Sequence, residues 1–523
     1  MDTLRMHNGD SVAFSTIPVM DYHCFSSLIV EKLSSGTASV RHCVNYFGYP
    51  LDEELRLVIA IADDAMHDIE VFSCRVPECA AIQSVAVQVP ALSRFEREIS
   101  ENHNITFEGH PWMKPLRTTP DDYPFYSIDD EELHEVGVGP IHAGVIEPGH
   151  FRFICSGEKV LNLEIMLGYQ HRGIERLFLK KKRLIERSVL AESIAGDTAV
   201  SHSVAFASLY ESLCGFKASE AALWARTLAS ELERIAIHTG DLSAICGDVA
   251  YQLGSAVYGR LRTPIINFMQ QWCGNRLGKS CIRPFYTPYP FTAEIAQILL
   301  TTLTVYERDF VEMGKKISHF PSVLSRLEHT GIVTLDQVSE IGAVGMTARA
   351  SGLERDIRSS HPYLLYGNID HRPILKHHGD VYSRTQIRKE EVLQSVGYIR
   401  DMLENVPDFG IETAITRGVA GAAADKADTS ANAAAAVGAN SAAVNLGHAV
   451  APGMFAISLA EGWRGEICHC AITDSQGEIA LYKIKDPSFH NWTALELAVR
   501  GNEISDFPIC NKSFNLSYCG HDL

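Results

Sequence analysis

The stretch 219–320 constrains the fold most. SEAALWARTLASELERIAIHTGDLSAICGD (219–248) carries apolar residues at helical spacing. At 1.5 Å rise per residue such a helix runs over ~40 Å. YQLGSAVYGRLRTPIINFMQQWCGN and TAEIAQILLTTLTVYERDFVEMGKKISHF predict two further long helices. Helices of this kind bury their apolar stripes against one another, so the core is a bundle. His238 and Asp241 fall near that core, where structural hydrogen bonds are expected to satisfy them.

The chain before the bundle, Gly139 to Glu211, places polar clusters between apolar runs: His142/His150, His171-Arg172 and Asp197/His202. HFRFICSGEKVLNLEIML alternates and then runs apolar, which predicts strand, turn at Ser156-Gly157, and strand. From about Ser201 the apolar spacing becomes helical. Asp197 has two readings: a proton carrier with a shifted pKa beside a buried cavity, or the N-cap of a 199–214 helix.

Residues 1–112 form a separate small domain. MDYHCFSSLIVEKLSSG reads as a helix ending at Gly36, and VRHCVNYFGYP, LRLVIAIADD and IEVFSCRV read as strands by their β-branched and apolar content. SVAVQVPALSRFEREISEN leads into another helix. Residues 113–138 are an acidic linker broken by Pro115, Pro120 and Pro124, in which Tyr123, Phe125 and Tyr126 can bury. The fold class is therefore α+β: a small N-terminal α/β domain, then over 139–523 a mainly helical bundle with a peripheral β-sheet.

Ala343 to Arg388 reads as loop-rich and polar. Its Arg349, Arg355, Asp356, Arg358, His361 and His371 suggest a buried network rather than a solvated loop. His377-His378 are neighbours, which rarely ligate one ion together. Lys180 to Arg183 is a basic run on a solvated helix face. Thr334-Leu-Asp-Gln337 starts a short helix with a capping box. Residues 419–451 are Ala-rich and of low complexity, without an amphipathic face, and read as a surface insertion. ISLAEGWRGEICHCAITDSQGEIALYKIKDP is a β-meander with a turn at Ser475-Gln-Gly, and Thr493-Ala-Leu-Glu496 caps a helix ending at Gly501.

The net charge of −18 argues against nucleic acid and against a basic membrane-surface patch. No run of 18 or more apolar residues exists to span a bilayer. The N-terminus lacks the long apolar core of a signal peptide. The 13 cysteines include no C-x-x-C pair, which suits free thiols in a reducing compartment. Cys468 and Cys470 face one side of a strand and read as ordinary buried cysteines. No G-x-G-x-x-G dinucleotide motif is present.

GPIHAGVIEPGHFRF, HRGIE, SHSVAF, RASGLERDIRSSHPY (349–363), GDVYSRTQIRKEE (379–391), RGE (464–466) and DPSFHNWTALELAVRGNEI together carry a resemblance. The chain resembles the large subunit of membrane-bound group 4 nickel–iron hydrogenases, as in formate hydrogenlyase, and the related 49-kDa subunit of respiratory complex I. FEREISENHNITFEGHPWMKPLR (95–117) resembles the 30-kDa complex I subunit that such proteins fuse ahead of the large subunit, with Glu101 and Asn104 where that family has Asp and Gly. The resemblance implies that residues 1–112 serve assembly.

A nickel–iron site needs four soft thiolates from two C-x-x-C pairs. At the first pair this chain has Ala195-Gly-Asp-Thr198, and at the second Ser488-Phe-His-Asn491. The resemblance therefore implies a member whose nickel ligands Ala195, Thr198, Ser488 and Asn491 have replaced, and which binds no metal or cofactor itself. Candidates at the vacated cavity are Asp197, His142 and His150 for proton or quinone contacts, with His171, Arg172, Thr198, His202, Ser488 and His490 as lining. Complex I holds its quinone with a His of the first β-turn, here His142 or His150, and a Tyr whose position falls on Gly196. Glu175 matches a magnesium-holding glutamate, but Ala494 stands where the completing His would be, so no magnesium is expected. The tail ICNKSFNLSYCGHDL, which maturation cleaves in hydrogenases, is expected to stay.

The resemblance implies a peripheral subunit on the cytoplasmic side of a bacterial or archaeal inner membrane. Its implied partners are a small iron–sulfur subunit carrying the cluster and integral membrane ion-translocating subunits, with quinone as the candidate ligand of the cavity. A quinone-reducing NADH dehydrogenase-type subunit and a non-catalytic coupling subunit are the alternatives. An active hydrogenase fits least.

Overall fold

The computed structural model describes residues 3–34, 40–144, 146–409 and 449–523. The Ala-rich stretch 419–451 lies outside these residues except for its last three.

The N-terminal part is built on β1 (Leu4–Met6), β2 (Ser11–Ala13), β3 (Val19–Met20), α1 (Tyr22–Leu33), β4 (Arg41–Leu51), β5 (Glu54–Asp63), β6 (Asp68–Pro77), β7 (Ala81–Gln83), α2 (Ser93–His103) and β8 (Thr106–Glu108). Strands β1, β6, β5 and β4 pair antiparallel in that order, and β3 runs parallel to β6. The near-continuous apolar run LRLVIAIAD is explained by burial on both faces. Leu57, Ile59 and Ile61 meet α1 and α2, while Val58, Ala60 and Ala62 meet strands from the far end of the chain. The α1 helix starts as its Asp21 cap accepts the Cys24 N–H at 2.9 Å.

Next come β9 (His134–Val138), β10 (His150–Ser156) and β11 (Lys159–Met166), an antiparallel sheet with the expected turn. The helical part holds α3 (Ile174–Lys180), α4 (Leu184–Ala191), α5 (Ala199–Leu213), α6 (Glu220–Asp248), α7 (Gln252–Cys273), α8 (Ala293–Ile317), α9 (Pro321–Leu327), α10 (Leu335–Glu340), α11 (Gly345–Arg349), α12 (Ile357–Ser360) and α13 (Val381–Glu404). Helices α5–α8 and α13 enclose the largest core, centred on Leu228, Leu232, Tyr258, Leu299 and Val396. The Ser219 hydroxyl accepts the Ala222 N–H and fixes the start of α6, and the Thr334–Gln337 capping box starts α10.

Strands β12 (Met454–Glu461), β13 (Glu466–Thr473) and β14 (Ile479–Lys485) form the meander, followed by α14 (Ser488–Val499), α15 (Phe507–Phe514) and α16 (Tyr518–Asp522). The N-terminal β2 adds itself to the outer edge of β12, pairing Ala13 with Met454. Phe489 at the start of α14 inserts into the core beneath α1 and α2, 4.9 Å from Phe95. The architecture is mixed α+β, with a bundle and small sheets around it.

Two sequence expectations are corrected. The segment Ala343–Arg388 is loop-rich only as far as Asp380, whose side chain accepts the Ser383 N–H and starts α13. Thr493 does not cap a helix: α14 begins at Ser488, and Thr493 sits inside it, accepting a hydrogen bond from Arg94 at 3.0 Å. Glu496 caps nothing either; it accepts the Ile165 N–H across to β11. A capping pattern within an apolar helix is a decoy when tertiary partners satisfy the same polar atoms.

Candidate functional site

Four positions define the candidate site, and Ala195, Thr198, Ser488 and Asn491 are all fully buried. Ala195 and Thr198 lie on the turn that feeds α5. The first amides of α5 are capped from α6: Glu233 accepts the N–H groups of Val200 at 2.7 Å and Ser201 at 3.2 Å, and the Ser201 hydroxyl at 2.5 Å. Burial pushes the Glu233 carboxyl up to about 7 despite those three donors. Ser488 and Asn491 lie on the first turn of α14. The Asn491 amide clamps the backbone of Val344, giving to its carbonyl and accepting its N–H, both at 3.1 Å.

Arg464 reaches into the site from the β12–β13 loop. Both Nη atoms donate to the two Asp197 oxygens at 2.7 Å, and Nη1 also reaches the Thr198 hydroxyl at 3.0 Å. The guanidinium lies over the Trp463 ring, 3.9 Å from its centroid, and Trp463 Nε1 donates to the Asp197 carbonyl at 3.0 Å. Burial works against the Arg464 charge, and Asp197 outweighs it. The loop sits where it does because two glycines let backbones touch. A Cβ on Gly345, at φ +62°, would lie 2.1 Å from the Gly465 Cα.

Residues 515–523 pack through the middle of the site. The Asn515 carbonyl accepts from Arg464 Nε at 2.5 Å, the Ser517 N–H gives to the Ser488 hydroxyl at 2.9 Å, and Trp492 Nε1 gives to the Ser517 carbonyl at 3.3 Å. Further on, Asp522 accepts the N–H groups of Gly168 and Gln170, and the Leu523 carbonyl accepts those of Arg172 and Gly173.

The remaining candidates fall into distinct settings. Arg172 donates to the carbonyls of Ser193 at 2.7 Å and Ile194 at 2.9 Å, holding the turn that carries Ala195, and His171 contacts the Asp522 carbonyl at 2.7 Å. His202 is buried between Asp486 and His469, each 3.1 Å away. Burial opposes ionisation of Asp486, but His202 and Arg464 outweigh it and lower its pKa. His142 stands on the turn before β10 and His150 opens that strand, bonded to the carbonyls of Gly149 and Gly139. That turn touches the site through Gly149, which abuts Tyr518. His490 packs instead edge-on against Phe95 and lines a separate cavity of about 760 Å³ between α2, the linker and α14. Asp197 is not the cap of α5: Thr198 holds that position, and the Asp197 carboxylate is turned to Arg464. Asp241 is satisfied as expected, by Arg388 at 2.9 Å, whereas His238 meets Glu391 at 2.7 Å through Nε2 and its buried Nδ1 has no hydrogen-bond partner among the described residues.

The donor set does not fit a nickel–iron centre, because a methyl, two hydroxyls and an amide offer no thiolate. Glu175 does not fit magnesium either. Lys483 places its ammonium 2.9 Å from one Glu175 oxygen, and the Ile484 N–H donates to the other at 3.0 Å. Among the described residues no group of three or more His, Cys, Asp or Glu is arranged for a metal. Sequence reasoning missed Arg464, Glu233 and Lys483, although the RGE pattern lay at Arg464 itself.

Residues 249–522 match the family described as respiratory-chain NADH dehydrogenase, 49 Kd subunit, and residues 27–128 match its 30 Kd subunit. The hydrogenase-4 component G of Escherichia coli (strain K12) is 24% identical over 83% of this chain and 74% of its own. The carbon monoxide-induced hydrogenase of Rhodospirillum rubrum is 27% identical over 73% of this chain and 97% of its own. The fold is shared with a chain in the structure of the membrane-bound sulfane sulfur reductase, an archaeal respiratory membrane complex. That likeness has a TM-score of 0.65 and 21% identity, covering 76% of this chain and 100% of that one.

Proposed function

We propose that this chain, which belongs to the respiratory-chain NADH dehydrogenase 49 Kd subunit family, is a nickel-free peripheral subunit of a membrane-bound, energy-converting oxidoreductase complex. The observation that carries this reading is the filled site. Four positions that would hold thiolates are Ala195, Thr198, Ser488 and Asn491, with Arg464 and residues 515–523 packed among them. What remains for chemistry is the Asp197–Arg464 pair, buried on the arginine side and about one-third exposed on the carboxylate side, at 4% and 34%.

In this reading a small iron–sulfur partner brings electrons beside the pair. The arriving negative charge strengthens proton binding nearby and loosens the hold of Arg464 on Asp197. The β12–β13 loop transmits that change to the bundle, and integral membrane subunits move the ion. The chain has no helix among its described residues long and apolar enough to cross a membrane, in keeping with a peripheral seat, which we place on the cytoplasmic side. Residues 1–112 serve as the assembly domain, docked through Phe489 and through β2.

A quinone-reducing role has its own support in the turn before β10. It carries His142, leads into His150 and exposes Ile141 and Ile146, at 82% and 54%, to whatever packs there.

The test is turnover of the assembled complex with Asp197→Asn and Arg464→Met. Normal assembly with lost turnover supports the reading. Full turnover in both variants overturns it in favour of a purely structural subunit. Loss confined to His142→Ala or His150→Ala, with a raised KM for quinone, moves the chemistry to the turn.

A further inference from the structure

The bundle holds a buried ion cluster that the proposed function leaves unused. Glu231 and Arg234 of α6, Arg349 of α11, Asp356 and Arg358 at α12, Glu391 of α13 and Glu461 of β12 are each no more than 1% exposed. Asp356 takes a fork from Arg358 at 3.0 and 2.7 Å and a third bond from Arg349 at 3.0 Å. Glu391 takes Arg349 at 2.5 Å, Arg358 at 3.1 Å and His238 at 2.7 Å. Glu231 accepts the hydroxyls of Tyr366 and Ser395, with Arg234 and Arg358 each 3.7 Å away. Glu461 has the poorest supply. It has one guanidinium nitrogen, Arg349 Nη1 at 3.0 Å, which it shares with Asp356, and one backbone N–H, from Ile357 at 3.1 Å.

Three guanidiniums cannot neutralise four carboxylates. An uncompensated charge at this depth is costly enough that a carboxyl binds a proton instead. His238 and His371 are the other groups in reach, and burial lowers the proton affinity of both. The Tyr363 phenol also faces this strand, but it accepts the Glu461 backbone N–H and leaves the carboxyl alone.

We propose that Glu461 is a buried proton-binding site, a carboxylic acid that carries the one proton of this cluster and exchanges it as the charge at the Asp197–Arg464 pair changes. The connection is short. Arg234 holds the carbonyls of Glu461 at 2.8 Å and Gly462 at 3.3 Å, and the next two residues are Trp463 and Arg464, which grip Asp197. Trp463 also lies edge-on to His238, 5.9 Å between ring centres, and His238 contacts Glu391. Burial, with Asp356 adding to it, pushes the Glu461 carboxyl up to about 7. Burial opposes ionisation of Asp356 and Glu391 as well, but there the arginines outweigh it and hold both well below the ordinary carboxylate range. Protonation stands on the cluster alone; the exchange rests on the charge-responsive reading of the Asp197–Arg464 pair.

The test is infrared difference spectroscopy of the full chain between about pH 5 and about pH 8, where a carboxylic acid shows a C=O band that its anion lacks. Glu461→Gln, the isostere of the neutral acid, should fold with an unchanged or higher melting temperature and lose one component of the band, leaving those of Glu233 and Glu96, the other buried carboxyls pushed up to about 7. Glu231→Gln leaves three carboxyls against three guanidiniums. It should move the Glu461 component to lower pH even though Glu461 is intact, an effect that mere packing would not produce. A band undiminished in Glu461→Gln, a Glu461→Gln chain that does not fold, or a component unmoved in Glu231→Gln overturns protonation. In the assembled complex, Asp197→Asn should shift the midpoint of the Glu461 component. An unshifted midpoint overturns the exchange and leaves the protonation standing.

Discussion

Replacing Asp197 with Asn tests the grip of Arg464 on the site. The carboxylate supplies two oxygens, each 2.7 Å from an arginine nitrogen, and an amide supplies one. The variant therefore loses one charge-assisted hydrogen bond, ~1.5–3 kcal/mol, and the ionic character of the other. Asp197 is 34% exposed, so solvent screens part of that loss. About 2 kcal/mol remains as the expected cost of opening the loop. The assay is native-state hydrogen exchange of the Gly462 and Gly465 amides, which bond each other's carbonyls at 2.9 and 3.1 Å. Two kcal/mol corresponds to about 30-fold faster exchange there, with the amides of α7 and α8 unchanged. A change below about threefold would refute the reasoning, since Thr198, Asn515 and Trp463 would then suffice to hold Arg464.

The other predictions concern how the parts dock. Burial opposes ionisation of Glu98, but Arg117 and Lys483 outweigh it and lower its pKa to about 2, so its contribution is present above the ordinary value of 4.5 and fades as pH falls toward 2. Glu98→Gln should make the loss of stability from about pH 6 to about pH 3 smaller by about 2 kcal/mol in denaturant titrations; an identical acid loss would contradict this. Phe489→Ala removes a ring from the core under α1 and α2. It should cost about 3–5 kcal/mol and speed proteolysis of residues 113–133, the part of the linker ahead of β9, and an unchanged cleavage rate would sink the docking role. Magnesium should leave the melting temperature of the chain unmoved, because the Lys483 ammonium already neutralises Glu175. A saturable magnesium-dependent rise would show that the lysine can be displaced.

Much of the fold was legible where local signals and burial agree. The α6 helix follows its apolar spacing from a serine cap to within a residue of the sequence reading, and the strand–turn–strand at 150–166 obeys alternation. The charged density of 349–371 announced a buried network, because so many arginines and histidines in one stretch need partners. Its partners were not legible, since Glu231, Glu391 and Glu461 come from distant segments that only the fold brings together. The same distance hid the hold of Arg464 on Asp197, which are 267 residues apart in sequence. At α14 the local pattern pointed to Thr493, whereas the helix is set by Ser488 packing under residues 515–523. At the site, the residue types excluded soft-metal ligation directly, but the side chains that fill the space come from distant segments that only the fold brings together.

The most direct test of the vacated site is elemental metal analysis of the intact purified complex alongside hydrogen uptake. The account predicts iron from the partner subunit, no nickel on this chain and no hydrogen activity. Nickel stoichiometric with this chain would contradict it, and would require ligands other than Ala195, Thr198, Ser488 and Asn491.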